Sequence, residues 1–205
     1  MGHPICGVIL AGGKATRMAG QPKGLLPLGD TTLMAQVIKR AMPQVDHLLI
    51  NSNEPLPEYI ETGLPVIADS EAGHLGPLAG IVTAMEWAAK TALDAEWLAS
   101  FAVDTPFFPL DLVYRLQQAT ENKVDVIYPE HGGYRHPTLS LWRISQAPAL
   151  KKALVDDQLY KVGAWLKLAP SLAVDLNQLP DYSFFNINTP EDLAQAQTDY
   201  LEQLI

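Results

Sequence analysis

Short, nearly all-apolar runs recur along this chain, with helical segments between them. ICGVIL (5–10) comes first; DHLLIN (46–51), PVIA (65–68), EWLASFAV (96–103) and the run at 124–128 follow. Helical patterns occupy 33–42, 81–92 and 111–118. Successive side chains of a strand point to opposite sides, so a strand apolar at every position has both faces covered. Such strands alternating with helices predict an α/β fold, a mostly parallel sheet with helices on both faces. The second half is less regular. HPTLSLW (136–142) alternates in part and reads as a strand with a solvent-facing side. Ala147–Val155 reads as a helix and 172–176 as a strand. Near the C-terminal end Thr189 is placed to cap a helix, Pro190 suits its first position, and Asp192 suits its positive end. Leu193, Ala196, Tyr200 and Leu204 would share one face. No repeat, low-complexity tract or linker breaks the 205 residues. The chain reads as a single domain, 1–205, whose second half adds a lobe over one edge.

Open parallel sheets bind ligands beyond the C-terminal ends of their strands. Here those ends carry Leu10-Ala11-Gly12-Gly13, Asn51, Asp69 and Asp104, which would converge on one crevice. The first loop, AGGKATRMAGQPKG, is neither a Walker A motif nor GxGxxG. Its physics is related all the same. Gly12 and Gly13 remove side chains, so backbone N–H groups can approach phosphate oxygens, and Arg17 and Lys23 add charge suited to a polyphosphate. The same glycines would also serve a plain tight turn. Asp104 could cap a local turn before Pro106, or bind Mg2+, which takes one or two carboxylates together with substrate phosphates. Asn51 and Asp69 could likewise cap turns. Gly76-Pro77-Leu78-Ala79-Gly80 reads as a turn leading into a helix. His74, His131 and His136 lack zinc spacing, and neither G-x-S-x-G nor H-E-x-x-H is present.

Charge narrows the function classes. With 14 basic and 23 acidic residues the chain carries a net charge of -9. Nucleic-acid backbones demand the opposite sign, so no nucleic-acid partner is expected. Cys6 is the only cysteine and sits in an apolar run, which excludes an intrachain disulfide and predicts a buried core residue. MGHPICG lacks the pattern of a signal peptide, and no uninterrupted apolar span of about 18 residues occurs. A cytoplasmic protein without a membrane partner is expected.

LAGGKATRM followed by PKGLLPLGD resembles the signature of nucleotidyltransferases that activate a phosphate-bearing acceptor. With LLIN, VIAD, GPLAG, DTPF, HPTLSL and NINTPEDL, the series is similar to that of the molybdenum cofactor guanylyltransferases, from Gly7 to near Leu193. The glycine loop is specific to the superfamily only; the series together is specific to the family. The resemblance implies a three-layer Rossmann-like nucleotidyltransferase fold with a mostly parallel, partly mixed sheet. It implies that Leu10, Ala11 and Gly12 contact the guanine nucleotide, with Gly13 and Arg17 assisting. Lys23 would hold its phosphates, Asn51 and Asp69 its guanosine, and Asp104 both Mg2+ and nucleotide. Asn188 would be a second site for metal or phosphate. The loop departs from the family at Ala19, where a glycine is common. Alanine would strain a left-handed backbone there by roughly 1 kcal/mol or more.

The implied reaction is transfer of GMP from GTP to the phosphate of molybdopterin, with release of pyrophosphate. Arg17, Lys23 and Asp104 would be the catalytic residues. That phosphate is already anionic near neutral pH, so no general base is needed. HGGYRHP is either a surface loop between two strands or the acceptor site, with Arg135 toward the pterin phosphate and Tyr134 or His136 along the ring. Molybdoenzymes or their chaperones would be transient partners. The alternatives are a molybdopterin cytidylyltransferase, a sugar-phosphate nucleotidyltransferase, or a GTP-binding recruitment module.

Overall fold

The computed structural model describes residues 4–12, 17–18, 20–71, 73, 75–92, 94–120 and 123–202. Gly13, Ala19, His74 and Leu204 lie outside them, as do the side chains of Arg17 and Tyr200. The chain opens with β1 (Ile5–Leu10). Two small hairpins follow, β2 (Arg17–Met18) with β3 (Gln21–Pro22), and β4 (Pro27–Leu28) with β5 (Thr31–Thr32). Next come α1 (Leu33–Ala41), β6 (His47–Asn51), α2 (Pro57–Ile60), β7 (Val66–Ile67), α3 (Pro77–Thr91) and β8 (Trp97–Ala102). The second half holds α4 (Leu112–Gln117), β9 (Val126–His131), β10 (Tyr134–Arg135), β11 (Leu141–Arg143), α5 (Ala147–Val155), α6 (Val162–Trp165), β12 (Ser171–Asp175) and α7 (Pro190–Glu202).

One sheet runs through both halves. β7, β6, β1 and β8 pair in parallel in that spatial order. β11 lies antiparallel between β8 and β9. β9 also pairs antiparallel with β10 and parallel with β12. Two antiparallel steps restore direction, so β9 runs parallel to β8. The C-terminal ends of β1, β6, β8, β9 and β12 therefore share one rim.

The all-apolar strands are explained by two cores. Cys6 and Val8 of β1 pack with Leu49, Leu98 and Trp142 beneath α3 and α5. Ile5 and Ile9 face the other way, with Ile50 and Phe101, beneath α1 and α4. Cys6 is fully buried, and burial together with nearby Asp46 pushes its thiol pKa up to about 11.

Three expectations change. GPLAG is the first turn of α3, not a turn before it. Pro77 takes the first helical position, where its missing N–H is harmless, after Gly76 at φ 76°. The strand expected at 124–128 instead runs Val126–His131. HPTLSLW yields only β11 at its end, because residues 136–139 form a turn closed by the Leu139 N–H on the His136 carbonyl at 3.0 Å. Its expected solvent-facing side is absent. Leu141 and Trp142 enter the two opposite cores.

Candidate active site

At the shared rim, β8 ends and the chain turns through Asp104. Lys23 stands in a short helical turn, Lys23–Leu25, after β3. Its side chain is 5% exposed, yet it is charged, so its ammonium needs partners. Nζ donates to Asn188 Oδ1 at 2.7 Å and to Asp104 Oδ2 at 3.3 Å. Asn188 Nδ2 donates to Asn186 Oδ1 at 2.7 Å, and Asn186 Nδ2 donates to Asp104 Oδ1 at 3.3 Å. Four side chains from three distant stretches thus close a hydrogen-bonded ring. Its geometry is uneven. The Lys23–Asn188 and Asn188–Asn186 contacts are short, while those on the Asp104 carboxylate, including Thr105 Oγ1 at 3.4 Å, are long. Asp104 is the less committed member, and 23% of its side chain is exposed.

The segment that carries the asparagines is held at both ends. The Ile187 N–H donates to the Asp104 carbonyl at 2.8 Å. Asp192 Oδ2 accepts from the N–H groups of Asn188 and Thr189, and Thr189 Oγ1 accepts from the Asp192 N–H. That exchange is a capping box with aspartate in the third helical position. The two backbone donors on its carboxylate lower the Asp192 pKa.

A second cluster sits where β6 and β7 end. Asn51 is buried, and its Nδ2 donates to the Ile67 carbonyl at 3.1 Å and to Asp69 Oδ1 at 3.0 Å. Asn53 Nδ2 donates to Asp69 Oδ2 at 2.8 Å, and the Asp69 N–H returns a bond to Asn53 Oδ1. Both carboxylate oxygens keep lone pairs for a ligand, since each accepts only one of these bonds. Leu10 and Ala11 adjoin this cluster, and the Ala11 N–H donates to the Asn51 carbonyl at 2.9 Å. Gly12 is exposed beside Asn51. Gly80, in the first turn of α3, lies so close that a Cβ there would overlap the Asn51 amide oxygen and stand 2.9 Å from Leu10.

Beside Asn186 opens a cavity of about 330 Å³, lined by His131, Tyr134, His136, Phe184 and Phe185. The rings of His136 and Phe184 stack with centroids 4.6 Å apart. Among the described residues the buried His136 Nε2 has no hydrogen-bond partner, and burial first of all lowers the His136 pKa. Arg135 does not line the cavity. Its guanidinium lies over the Tyr128 ring, 5.9 Å from the centroid, on the sheet face opposite Tyr134, as strand alternation requires.

The structure thus gathers Lys23, Asp104 and Asn188 in one cluster, and Leu10, Ala11, Gly12, Asn51 and Asp69 in another. Gly13 and the Arg17 side chain fall outside the described residues. From the sequence, Asn186 and Phe184 carry no role and Asn53 only a place in a turn with Asn51. The N-I-N spacing was a usable signal, since alternate residues of an extended segment share a side. Among the described residues no cluster of three or more His, Cys, Asp or Glu side chains could hold a metal ion. None of the described helices is long and apolar enough to cross a membrane.

Residues 7–170 match the family described as the MobA-like NTP transferase domain. A molybdenum cofactor guanylyltransferase of Rhodopseudomonas palustris is 41% identical over 197 residues, which covers 95% of this chain and 94% of that one. One of Mesorhizobium japonicum is 40% identical over 96% of each chain. Among solved structures, the molybdopterin-guanine dinucleotide biosynthesis protein A of Archaeoglobus fulgidus superposes with a TM-score of 0.78. It shares 23% identity, over 96% of this chain and 99% of that one, and so bears on the fold. Family, relatives and fold agree: the chain belongs to the molybdenum cofactor guanylyltransferase family of the nucleotidyltransferase superfamily.

Proposed function

We propose that the chain transfers GMP from GTP to the phosphate of molybdopterin, giving molybdopterin guanine dinucleotide and pyrophosphate. The observation that carries this reading is the Lys23–Asn188–Asn186–Asp104 ring, set on the same rim as the Asp69 cluster and beside an aromatic cavity. Guanine offers two adjacent donors, its ring N–H and its amino group, which a carboxylate with two free lone pairs matches in bidentate fashion. Asp69 is that carboxylate, held in place by Asn51 and Asn53. Lys23 stabilises the phosphates, and Asn188 orients its ammonium. An oxygen of the molybdopterin phosphate attacks the α-phosphorus as the bond to pyrophosphate breaks, and pyrophosphate leaves with the bonding electrons. Lys23, Arg17 and the loop amides, those of Gly12 and Gly13 among them, receive that charge. The acceptor's ring occupies the cavity between Tyr134 and His136.

Asp104 suits Mg2+. A single carboxylate with long existing contacts leaves most coordination positions to phosphate oxygens and water, as this ion prefers. Asn188 would be the second residue to hold the ion, through the lone pair of Oδ1 that Lys23 does not use. When bound there, the ion neutralises charge on the reacting phosphates. Molybdoenzymes or their chaperones would take the product in transient contacts, and the cytoplasm suits that exchange.

The test is base selectivity. Purified protein is incubated with molybdopterin, Mg2+ and each of GTP, CTP, ATP and UTP. Dinucleotide from GTP alone is expected; dinucleotide from CTP but not GTP would overturn the assignment. Asp104→Ala abolishes product in the same assay, and activity that survived at saturating Mg2+ would remove Asp104 from its role.

A further inference from the structure

We infer that Lys151 is a positioning residue for nucleotide selection, a clamp reaching from the second half of the chain to the segment that carries Asp69. The inference rests on the assignment of Asp69 to the base. Lys151 projects from α5, and its Nζ lies 2.6 Å from Glu71 Oε1 and 2.9 Å from Glu86 Oε1. Glu71 follows Asp69 by one intervening residue, and Glu86 belongs to α3, the helix whose first turn holds Gly80 against Asn51. A single ammonium thus ties together α5, α3 and the segment between β7 and α3.

Among the described residues, that segment is also anchored at Asp69, through Asn51 and Asn53, and at Ser70. The Ser70 N–H donates to Thr83 Oγ1 at 2.8 Å, and Thr83 Oγ1 donates to Ser70 Oγ at 3.3 Å. Beyond Glu71, Gly73 and Gly76 sit at φ 109° and 76°, conformations that glycine adopts freely. The second half meets the far end too, where the Tyr160 carbonyl lies within 3.4 Å of the place a Gly76 Cβ would occupy. The hydrogen bonds to Glu71 and then Glu86 push the Lys151 pKa up to about 12.

The stability of such a partly exposed pair is small. Its consequence is positional. Two carboxylates within reach of one nitrogen are close enough to repel once that nitrogen is gone. Repulsion drives Glu71 from Glu86, and Asp69 moves with it, away from Asn51 and Asn53. Lys151 therefore acts on the nucleotide through Glu71 and touches no substrate itself.

The test is GTP binding to the full chain by titration calorimetry in Mg2+, with thermal unfolding in parallel. Lys151→Met weakens GTP about fivefold or more and leaves the unfolding midpoint nearly unchanged; Lys151→Arg, which keeps the charge, stays near wild type. Lys151→Met combined with Glu86→Gln recovers most of the affinity, because the repulsion is removed. Asp69→Ala separates the two readings. If Asp69→Ala weakens GTP and Lys151→Met does not, the clamp is overturned and the base assignment stands. If the double variant stays as weak as Lys151→Met, repulsion is not the cause and the clamp is likewise overturned. If Asp69→Ala leaves GTP binding unchanged, the base assignment falls and the clamp with it.

Discussion

Gly80 lies inside a helix, where alanine is ordinarily preferred by about 1 kcal/mol. Here that preference loses. A Cβ would meet the Asn51 amide carbon at 2.8 Å and Leu10 at 2.9 Å, both on packed elements. Forcing a methyl into such a site costs about 1–3 kcal/mol. Gly80→Ala is therefore expected to be neutral to about 2 kcal/mol destabilised by urea titration. Its larger effect falls on GTP affinity, about tenfold weaker as Asn51 is displaced from Asp69, since 1.4 kcal/mol is tenfold. His136 governs a pH dependence. Burial lowers its pKa from 6.5, so its folded value lies below its unfolded one. The stability it contributes is fully present above pH 6.5 and is lost as pH falls through the folded pKa, because the unfolded chain binds the proton first. Asp192 titrates lower, its pKa shifted down from 3.8, and does not share that window. Melting curves from pH 7.5 down to 5 should fall for the wild type and flatten for His136→Phe, which keeps the stack on Phe184. An unchanged slope would show that His136 is not the group responsible.

The capping box of α7 links helix formation to chemistry. Thr189, Pro190 and Asp192 signalled this start in the sequence because capping is local and depends on side chains a few residues apart. Ile5–Leu10 and Ala147–Val155 were legible for the same kind of reason, their patterns being short and complete. The start of α3 was misjudged by four residues because Pro77 suits both a turn and a first helical position. β11 was overextended because Pro137 and the His136–Leu139 turn override a partial alternation. What the box adds is the placement of Asn188, whose N–H is held by Asp192 Oδ2 at 2.9 Å while its side chain orients Lys23. Thr189→Ala should cost about 1 kcal/mol through the lost cap alone. Asp192→Ala releases Asn188 as well. It is expected to lower the transfer rate more than Thr189→Ala does. Equal effects of the two on rate would leave the box a purely structural device.

The two candidate clusters lie on one rim because β7, β6, β1 and β8 run parallel, and the second half brings Asn186 and Asn188 to that rim. That long-range arrangement was the least legible feature. Lys23 and Asn186 are brought to Asp104 from 81 and 82 residues away, and no local pattern encodes the meeting. The strand ends and the basic loop pointed to Lys23, Asn51, Asp69 and Asp104, and the resemblance gave them roles and added Asn188; packing supplied Asn186, the bonds of Asn53 to Asp69, and Phe184 of the cavity wall. The sheet also argues against independent halves. Trp142 of β11 is fully buried and donates through its indole N–H to Ser100 Oγ of β8 at 2.9 Å. Without β11, the edge of β8 would open to water, exposing a strand buried at every position. Burial of one large apolar side chain is worth about 1.5–3 kcal/mol. Losing several at this seam would exceed much of the roughly 5–15 kcal/mol that holds an ordinary domain folded. We therefore expect one cooperative transition. Urea titrations followed by far-ultraviolet circular dichroism and by tryptophan fluorescence should give coincident midpoints. A fragment ending at residue 120 should show neither a cooperative transition nor GTP binding. Separated midpoints, or a folded fragment, would show that the nucleotide half stands alone and that the seam at Trp142 is only an interface.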